Sequence, residues 1–328
     1  MSKNQFCISK KFFFSFAFLL IALSSLFLIN HLNKNKQITK TGAAPPRIIG
    51  GHLADPGEWP FMVALYDKSK EKTIKESFFC GGSLINNQWI LTAGHCAKYF
   101  ENRPQDIKAI ININYLDDKK IPEKTFEVEK PLIHESYINV ENSYYKNDVA
   151  LIKLKRTIKI PFVAINNDLG LIKKDIKGYA MGWGNINPND QDLVTNRKIS
   201  NELLEIDLTL DLYPKSATFY ENTIFAYKGK EERPSFGDSG GPFVIWYKNK
   251  YYLAGIISHL KNNFPNNSHS RGINLTTVTK YTDWIKNKTG IDIDSNNKKS
   301  FIGNPPDWIT PTVTPTRIPT PTLVYRRR

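Results

Sequence analysis

The sequence predicts an all-β body that is closed by one C-terminal α-helix. From residue 48 to about residue 290, short apolar runs rich in β-branched and aromatic residues alternate with Asn, Asp, Gly and Pro. Many short strands without long helices between them are typical of sandwiches and barrels. The helix is expected at the end, where Tyr281, Trp284 and Ile285 recur at helical spacing before Gly290.

Six of the apolar runs carry the strand prediction. Each has five to eight residues, which suits a strand better than a helix. They lie at residues 61–66, 89–93, 107–113, 149–154, 242–247 and 251–258. We find no internal repeat in the sequence, and the folded domain is expected over residues 48–290.

The charge of the chain first suggests a nucleic-acid-binding protein. The 328 residues carry a formal net charge of +14 at pH 7. The basic residues, however, are concentrated at the ends. Residues 48–290 hold 32 Lys and Arg against 28 Asp and Glu, whereas residues 1–47 hold seven Lys and Arg and no acidic residue. Because the predicted body is close to neutral, we expect no nucleic-acid partner.

The N-terminus predicts export. Residues 12–29 form an uncharged apolar run that follows Lys3, Lys10 and Lys11. Eighteen residues is long for a signal peptide and just sufficient for a transmembrane helix, so residues 1–29 are interpreted as a signal peptide or a signal anchor. Both interpretations leave the N-terminus in the cytoplasm and the rest of the chain outside it. The protein would be secreted, periplasmic or tethered to the membrane through residues 12–29.

Two polar segments flank the predicted body. Residues 30–47 lack apolar periodicity and are interpreted as a linker or propeptide. Residues 291–328 are predicted to be a disordered Pro/Thr-rich tail, since six Pro and six Thr fall within residues 305–328. Such a segment buries little surface and suits a stalk.

Three cysteines occur, and two of them lie in the predicted body. Cys7 precedes the apolar run, which leaves Cys80 and Cys96 as a pair. Two buried thiols would be the ordinary interpretation in a cytosolic protein, whereas an exported body favours a disulfide between them.

The strongest local motif is Gly-Asp-Ser-Gly-Gly-Pro at residues 237–242, with Ser239 at its centre. A serine between glycines is often a simple turn. A hydroxyl nucleophile, however, also needs an imidazole base and a carboxylate that fixes the tautomer of that imidazole. Both groups occur in settings of their own: His95 ends the Trp-Ile-Leu-Thr-Ala-Gly-His-Cys run at residues 89–96, and Asp148 leads into an apolar run.

In order and setting, these motifs resemble those of the chymotrypsin/trypsin-like serine proteases. The chain order His, Asp, Ser is that of this family and differs in other triad enzymes. Arg-Ile-Ile-Gly-Gly at residues 47–51 resembles the family's activation junction, and Gly-Trp-Gly at residues 182–184 resembles a signature of its second barrel. The resemblance extends over residues 47–285. It implies two antiparallel six-stranded barrels with the active site between them, followed by the C-terminal helix.

The resemblance also implies a role for each matching residue. Ser239 would attack the scissile carbonyl, and His95 would accept and later return its proton. Asp148 would orient His95 and stabilise the imidazolium. The backbone N–H groups of Gly237 and Ser239 would bind the oxyanion.

The same resemblance implies a zymogen. Cleavage after Arg47 would free the α-amino group of Ile48. In the family, that cation pairs with the residue before the nucleophile, here Asp238. A buried carboxylate needs such a partner. Activation would require a trypsin-like protease or the chain itself.

Cys80 and Cys96 match the family's disulfide beside the catalytic histidine. Three other bridges that are usual in trypsin-like members are missing. Small or apolar residues occupy positions where their cysteines would be, among them Gly178, Ala226, Ser235 and Ile245.

The residues that would line the substrate pocket depart from the family. Arg233 stands six residues before the nucleophile, where the floor of the pocket is expected. A cation there would favour an acidic residue at P1, the position before the scissile bond. The alternatives are that Arg233 pairs with Glu231 or Glu232, or that its loop points elsewhere. The other predicted pocket residues are Phe236, Ser258, His259 and Leu260.

The sequence therefore predicts an exported serine endopeptidase that acts on proteins or peptides and needs no cofactor or metal. Two alternatives remain open. One is a binding module that keeps the fold without activity, which is disfavoured because no member of the triad is missing. The other is a protease that serves mainly as a surface-tethered scaffold through its tail.

Overall fold

The computed structural model describes residues 48, 50–140, 144–187, 198–213, 222–229, 232–262 and 271–309. For residues 261, 262 and 271 it describes the backbone alone. The predictions for residues 1–47, which include the signal segment, the linker and Arg47, lie outside the described residues. Those for residues 310–328 lie outside them too. Within the described part of the chain, no helix has the length and apolar character needed to cross a membrane.

The N-terminal half of the described chain contains ten strands. In chain order they are β1 (His52–Leu53), β2 (Met62–Asp67), β3 (Phe78–Leu84), β4 (Trp89–Thr92), β5 (Ile107–Ile111), β6 (Thr125–Glu127), β7 (Leu132–Ile133), β8 (Ile138–Val140), β9 (Tyr144–Lys146) and β10 (Ala150–Lys153). The four runs predicted as strands in this half correspond to β2, β4, β5 and β10.

Seven of these strands form one antiparallel sheet in the order β6-β5-β2-β3-β4-β10-β7. An isolated antiparallel bridge between Val128 and Leu154 joins the chain just after β6 to the chain just after β10. The six strands from β6 to β10 in that order therefore curve into the first barrel. The strands β8 and β9 form a separate hairpin in which Asn139 pairs with Tyr145.

The described residues of the C-terminal half contain seven strands. They are β11 (Ala164–Ile165), β12 (Lys177–Gly182), β13 (Leu204–Asp211), β14 (Thr223–Tyr227), β15 (Pro242–Tyr247), β16 (Lys250–Asn262) and β17 (Arg271–Thr277). The order is β1-β13-β12-β15-β16-β17-β14, and pairing of β13 with β14 closes a six-stranded antiparallel barrel. The predicted all-β fold of two antiparallel barrels is confirmed.

Each barrel has an apolar core. The four residues Met62 to Leu65 of β2 are at most 1 % exposed, so both faces of this strand are covered and its sequence reads as a continuous apolar run. In β13, by contrast, every second residue from Leu204 to Leu210 belongs to the core cluster of the second barrel. Each fully buried aliphatic side chain contributes roughly 1.5–3 kcal/mol to folding.

Five short α-helices connect or close the barrels in the described chain. They are α1 (Ile74–Ser77), α2 (Gly94–Lys98), α3 (Ile121–Lys124), α4 (Thr282–Thr289) and α5 (Ile293–Lys298). The predicted C-terminal helix is α4, which ends at Gly290 in the left-handed conformation. The sequence did not predict α5, whose first turn is capped by the side chain of Asp292.

The folded body extends past the predicted boundary at residue 290. Ile291 and Ile293 belong to the large core cluster, and Phe301 and Trp308 pack against it. The expectation of a disordered tail from residue 291 onward is therefore corrected for residues 291–309. The extension was not predicted, because Ile291 and Ile293 are separated by one polar residue and followed by several more.

Candidate active site

His95 lies where the chain leaves β4 and enters α2. The side chain is 18 % exposed and lines a cleft of about 600 Å³. The preceding residue is a glycine because space is short there: a Cβ at Gly94 would lie 2.9 Å from Cδ2 of Tyr137. The absence of a side chain at Gly94 thus lets the Tyr137 ring approach the backbone beside His95.

Asp148 holds this imidazole through two hydrogen bonds. Its Oδ1 accepts from the backbone N–H of His95 and its Oδ2 from Nδ1, each at 2.8 Å. The hydroxyl of Ser258 donates to the same Oδ2 at 2.5 Å. Burial raises the pKa of Asp148, but the charge of His95 and the hydrogen bonds from His95 and Ser258 outweigh it and hold the pKa below its ordinary value. Asp148 is therefore an ionised acceptor that fixes the orientation of His95.

Ser239 lies in a turn that is held between the two barrels. Gly237 and Gly240 in this turn adopt φ values of +98° and +80°, which favour glycine. The Ser239 carbonyl accepts a hydrogen bond from the N–H of Gly81 on β3 at 2.8 Å. The N–H of Gly240 donates to a carbonyl of β16 at 2.7 Å. These two bonds connect the turn to both barrels and fix the position of the serine.

His95 and Ser239 line the cleft and Asp148 is buried beside His95, but the serine hydroxyl and the imidazole do not form a hydrogen bond with each other in this conformation. Ser239 Oγ donates to the carbonyl of Ser258 at 3.4 Å, and His95 Nε2 lies 3.5 Å from Sγ of Cys96. A rotation of the Ser239 side chain is needed to direct its hydroxyl to Nε2. Catalytic hydrogen bonds are often long or misaligned without substrate and tighten when it binds.

The backbone N–H groups of Gly237 and Ser239 donate to no described backbone carbonyl. Their neighbours do: Asp238 donates to the carbonyl of Ser235 at 3.1 Å, and Gly241 donates to that of Asp238 at 2.9 Å. Gly237 and Ser239 both line the cleft.

Asp238 is fully buried beside the turn. Its carboxylate accepts hydrogen bonds from the N–H groups of Gly184 and Ser235, each at 2.8 Å. A Cβ at Gly182 or at Gly184 would lie 2.2 or 2.4 Å from the carboxylate, which explains the Gly-Trp-Gly motif. Burial raises the pKa of Asp238 to about 6, although the two hydrogen bonds lower it. No side chain in the described part of the chain supplies a cation to this group.

Ile48, the residue that cleavage after Arg47 would make the N-terminus, is also fully buried. It belongs to the core cluster of the second barrel. Its carbonyl accepts a hydrogen bond from the N–H of Gly51 at 2.5 Å, in a turn before β1.

The predicted disulfide between Cys80 and Cys96 is confirmed. It joins β3 to α2 and so stabilises the helix that carries His95. The two sulfurs and the imidazole form a cluster of potential metal-ligand atoms. Both sulfurs are consumed by the disulfide, however, and zinc binds thiolates. The cluster is therefore a structural support for His95.

The residues that line the cleft beside Ser239 can be compared with those predicted for the substrate pocket. Four of its five predicted residues line the cleft, and they are Phe236, Ser258, His259 and Leu260. Arg233 does not line it, because its side chain is enclosed by protein and only 3 % of the residue is exposed. The described lining of the cleft thus does not include the residue expected at the pocket floor, and the role of Arg233 stays a prediction.

Sequence reasoning missed several residues of the cleft, among them Ile273 and Tyr145. Ile273 on β17 is the cross-strand partner of Leu260, a pairing that no local pattern reveals. Tyr145 on β9 stacks on the His95 ring, with centroids 4.7 Å apart and an interplanar angle of 13°. Its position three residues before Asp148 was the available signal. No Asp, Glu, Lys or Arg among the described residues lines the cleft.

The two barrels and the cleft lined by His95 and Ser239 have the arrangement that the resemblance to serine proteases implied. A family model described as Trypsin matches residues 48–285. The chain therefore belongs to the trypsin family and is a serine endopeptidase.

The similar proteins agree with this assignment. A collagenase of Hypoderma lineatum is 32 % identical over 259 residues, which are 75 % of this chain and 88 % of the relative. Transmembrane protease serine 11G of Mus musculus is 29 % identical over 75 % of this chain, and the match spans 57 % of that protein. The structure of neuropsin, a serine protease expressed in the limbic system of mouse brain, has a similar fold. Its TM-score is 0.57 at 24 % identity, over 73 % of this chain and 98 % of neuropsin.

Proposed function

We propose that the chain cleaves peptide bonds with Ser239 as nucleophile, His95 as general base and acid, and Asp148 as the group that orients His95. The observation that carries the proposal is the pair of 2.8 Å hydrogen bonds by which Asp148 holds His95 in the cleft that contains Ser239. Because Nδ1 donates its proton to Asp148, Nε2 is left as the base.

In this mechanism, His95 Nε2 takes the hydroxyl proton of Ser239 as Oγ attacks the carbonyl carbon of the substrate. The negative charge on the carbonyl oxygen is stabilised by the N–H groups of Gly237 and Ser239. The imidazolium then protonates the leaving amine, and the C–N bond breaks to leave an acyl-enzyme. Water attacks the ester in the same way, with His95 as base, and releases the acid.

Ser239→Ala is expected to lower kcat on the order of 10⁶-fold, since the remaining groups of a triad do not replace the nucleophile. The measurement is peptide hydrolysis by the activated protein, together with covalent labelling by a fluorophosphonate. Ser235→Ala removes another serine of the same cleft and is expected still to be labelled. An activated wild-type protein that takes no label would support the binding-module alternative.

We infer that the chain is made as a zymogen. The support is the buried carboxylate of Asp238, which has no cationic partner among the described side chains. Cleavage after Arg47 creates the α-amino cation of Ile48, a residue that is itself buried. Pairing of this cation with Asp238 would relieve the cost of the buried charge and fix the turn of Gly237 and Ser239.

N-terminal sequencing of the active protein tests this inference. The expected sequence begins at Ile48, and Arg47→Gln is expected to keep the protein in an inactive form after treatment with trypsin. Full activity of uncleaved protein would contradict the zymogen inference.

For P1, we propose a small, neutral and apolar side chain. Leu260 and Ile273 are cross-strand partners, which brings their Cβ atoms to roughly 5 Å, and both line the cleft together with Ile257. The acidic-P1 hypothesis depends on Arg233, which is buried and does not line the cleft. Self-activation would require Arg47 to bind as the P1 residue. Because no carboxylate is present among the described residues that line the cleft, we favour activation by a different protease.

A series of peptides that differ only at P1 tests this preference. We expect Ala and Val to be cleaved at least about tenfold faster than Glu, Arg or Phe, since a filled pocket discriminates by volume and by charge. Leu260→Gly with Ile273→Gly is expected to improve cleavage after Phe. Preferred cleavage after Glu would restore the role of Arg233. Denatured collagen belongs in the series because one relative is named a collagenase.

We further propose that the protease domain acts outside the cytoplasm on protein substrates. The support is the apolar run at residues 12–29 and its basic flank, together with a relative that is named a transmembrane protease. Fractionation of producing cells distinguishes a released domain from one tethered to the membrane.

A further inference from the structure

A second histidine lines the cleft that contains Ser239. His259 lies in β16 directly after Ser258, and it is half-buried. Its Nδ1 lies 3.2 Å from the Ser258 hydroxyl oxygen, and its Nε2 lies 2.7 Å from Nδ2 of Asn274 on β17. Asn274 is fully buried, and its carbonyl accepts a hydrogen bond from the hydroxyl of Tyr213. Both nitrogens of the imidazole therefore have a hydrogen-bonding partner.

The partners determine where the proton of His259 resides. The Ser258 hydroxyl has one hydrogen, which it donates at 2.5 Å to the ionised carboxylate of Asp148. The Ser258 oxygen must then accept from His259, so the proton is on Nδ1. The Asn274 amide nitrogen is a donor, so Nε2 accepts and carries no proton. The network assigns His259 as a neutral imidazole with its hydrogen on Nδ1.

The ring of Tyr145 forms a second connection between His95 and His259, because it contacts both imidazoles. Tyr145 stacks face to face on the His95 ring at 4.7 Å. The ring of His259 meets the same Tyr145 edge to face, with centroids 5.7 Å apart and an interplanar angle of 85°. His259 therefore contacts both supports of His95: Asp148 through the Ser258 hydroxyl, and the stacking ring of Tyr145.

We propose that His259 is a positioning residue of the triad that acts as a neutral imidazole and whose protonation lowers activity. In the neutral form it directs the Ser258 hydroxyl to Asp148 and packs Tyr145 against His95. A second proton would have to bind Nε2, where it meets the N–H of Asn274 instead of an acceptor. The inference rests on the proposed triad, because activity is its readout.

The described surroundings of His259 allow this coupling. Among the described residues, the titratable groups around it include Asp148 through Ser258, Tyr145 on β9 with His95 behind it, and Tyr213 after β13. None of the described residues that line the cleft is Asp, Glu, Lys or Arg. Protonation of His259 therefore adds a cation close to the face of the site where His95 must remain neutral to act as a base.

The test is the pH dependence of kcat/KM for the activated full-length protein and a neutral peptide, from about pH 4 to about pH 9. In the wild type, two histidines must be neutral, so the acid limb of the logarithmic plot should approach a slope of two. His259→Asn keeps a neutral donor at the position of Nδ1. The readout is the acid limb, whose slope should fall from two to one in this variant.

Two further variants complete the experiment. His259→Phe keeps a ring on Tyr145 but loses the donor to Ser258, and it should lower kcat about fivefold with the slope of one. His52→Gln removes a histidine that pairs with Glu205 outside the cleft, and it should retain the wild-type slope. If His259→Phe does not fold, His259→Asn still decides the question.

An identical acid limb in the wild type and in His259→Asn would overturn the inference, whatever its slope. This result differs from failure of the proposed triad. In that case the wild-type protein would neither hydrolyse the peptide nor take the fluorophosphonate label.

Discussion

Gly240 and Gly290 have similar backbone angles but different surroundings. Substitution of each by alanine therefore distinguishes the cost of a left-handed conformation from the cost of a steric clash. Gly240, next to the serine, has φ of +80°, and its missing Cβ would lie 2.2 Å from Oγ1 of Thr92. Gly290, at the end of α4, has φ of +72°, and nothing lies within 4 Å of its missing Cβ. Only the first glycine is required by packing between the barrels.

Gly290→Ala is expected to lower the free energy of unfolding by about 1 kcal/mol, because alanine disfavours the left-handed conformation. Gly240→Ala adds a steric clash to the same strain, and we expect a loss of at least about 3 kcal/mol together with most of the activity. Urea unfolding of both variants measures the difference. Equal losses would mean that the turn beside Ser239 adapts to a side chain.

At the scale of elements, residues 299–309 follow α5 and pack against the core; we call this segment the strap. The Trp308 ring lies 4.7 Å from the Tyr179 ring of β12, and Nζ of Lys177 lies 5.7 Å from the Trp308 centroid. Ile302 in the same segment is 57 % exposed. The strap thus offers a packed side chain, Trp308, and an exposed one, Ile302, for comparison.

Trp308→Ala is expected to cost about 2 kcal/mol of stability through lost apolar contact. Ile302→Ala is the matched control and should change stability by no more than about 0.5 kcal/mol. Thermal unfolding monitored by circular dichroism compares the two. A neutral Trp308→Ala would show that the strap does not contribute to the fold.

Neighbouring strands also show how the second barrel tolerates the loss of a covalent link. Gly178 on β12 and Ile245 on β15 are direct cross-strand partners, at two positions where the sequence suggested missing cysteines. Both residues are buried. A small and a large residue therefore fill this site by packing.

At the scale of the whole molecule, Asp238 connects activation to stability. Its pKa in the folded, intact chain is raised by burial from 3.8 to about 6. The folded state therefore binds more protons than the unfolded state between these values. The stability that this group contributes is present below about pH 4 and is lost as the pH rises through about 6. The two-unit difference corresponds to about 3 kcal/mol.

We expect the intact Arg47→Gln protein to lose about this amount of stability between about pH 4 and about pH 7. Arg47→Gln with Asp238→Asn should lose less. Glu58, with a pKa raised by burial to about 6, and His52, with a pKa raised by Glu205, change stability in the same direction in both proteins. Urea unfolding measures the loss of stability of each protein between the two pH values. The difference between the two losses is the contribution of Asp238. Equal losses would contradict a buried carboxylate without a cation.

The strands and the turn at Ser239 were predictable because their signals are local. Apolar runs of strand length became β2, β4, β5, β10, β15 and β16. The glycines around Ser239 indicated a turn, and Gly237 and Gly240 adopt the left-handed conformation in it. The only two cysteines in the predicted body form the disulfide. By contrast, α5 was missed since its polar surface gives no periodic apolar pattern and its single isoleucine, Ile293, is buried in the core cluster by other parts of the chain.

The sequence by itself determined the fold class and the family, and it named the three residues that we propose as the catalytic triad. Each of these depends on motifs read along the chain, where local conformation and residue chemistry suffice. The tertiary structure decided the character of the cleft: Arg233 is enclosed, Ile273 faces Leu260, and the Ser258 hydroxyl joins His259 to Asp148. These relations depend on the register between β16 and β17 and on packing between the barrels. Both are set by contacts between residues far apart in sequence.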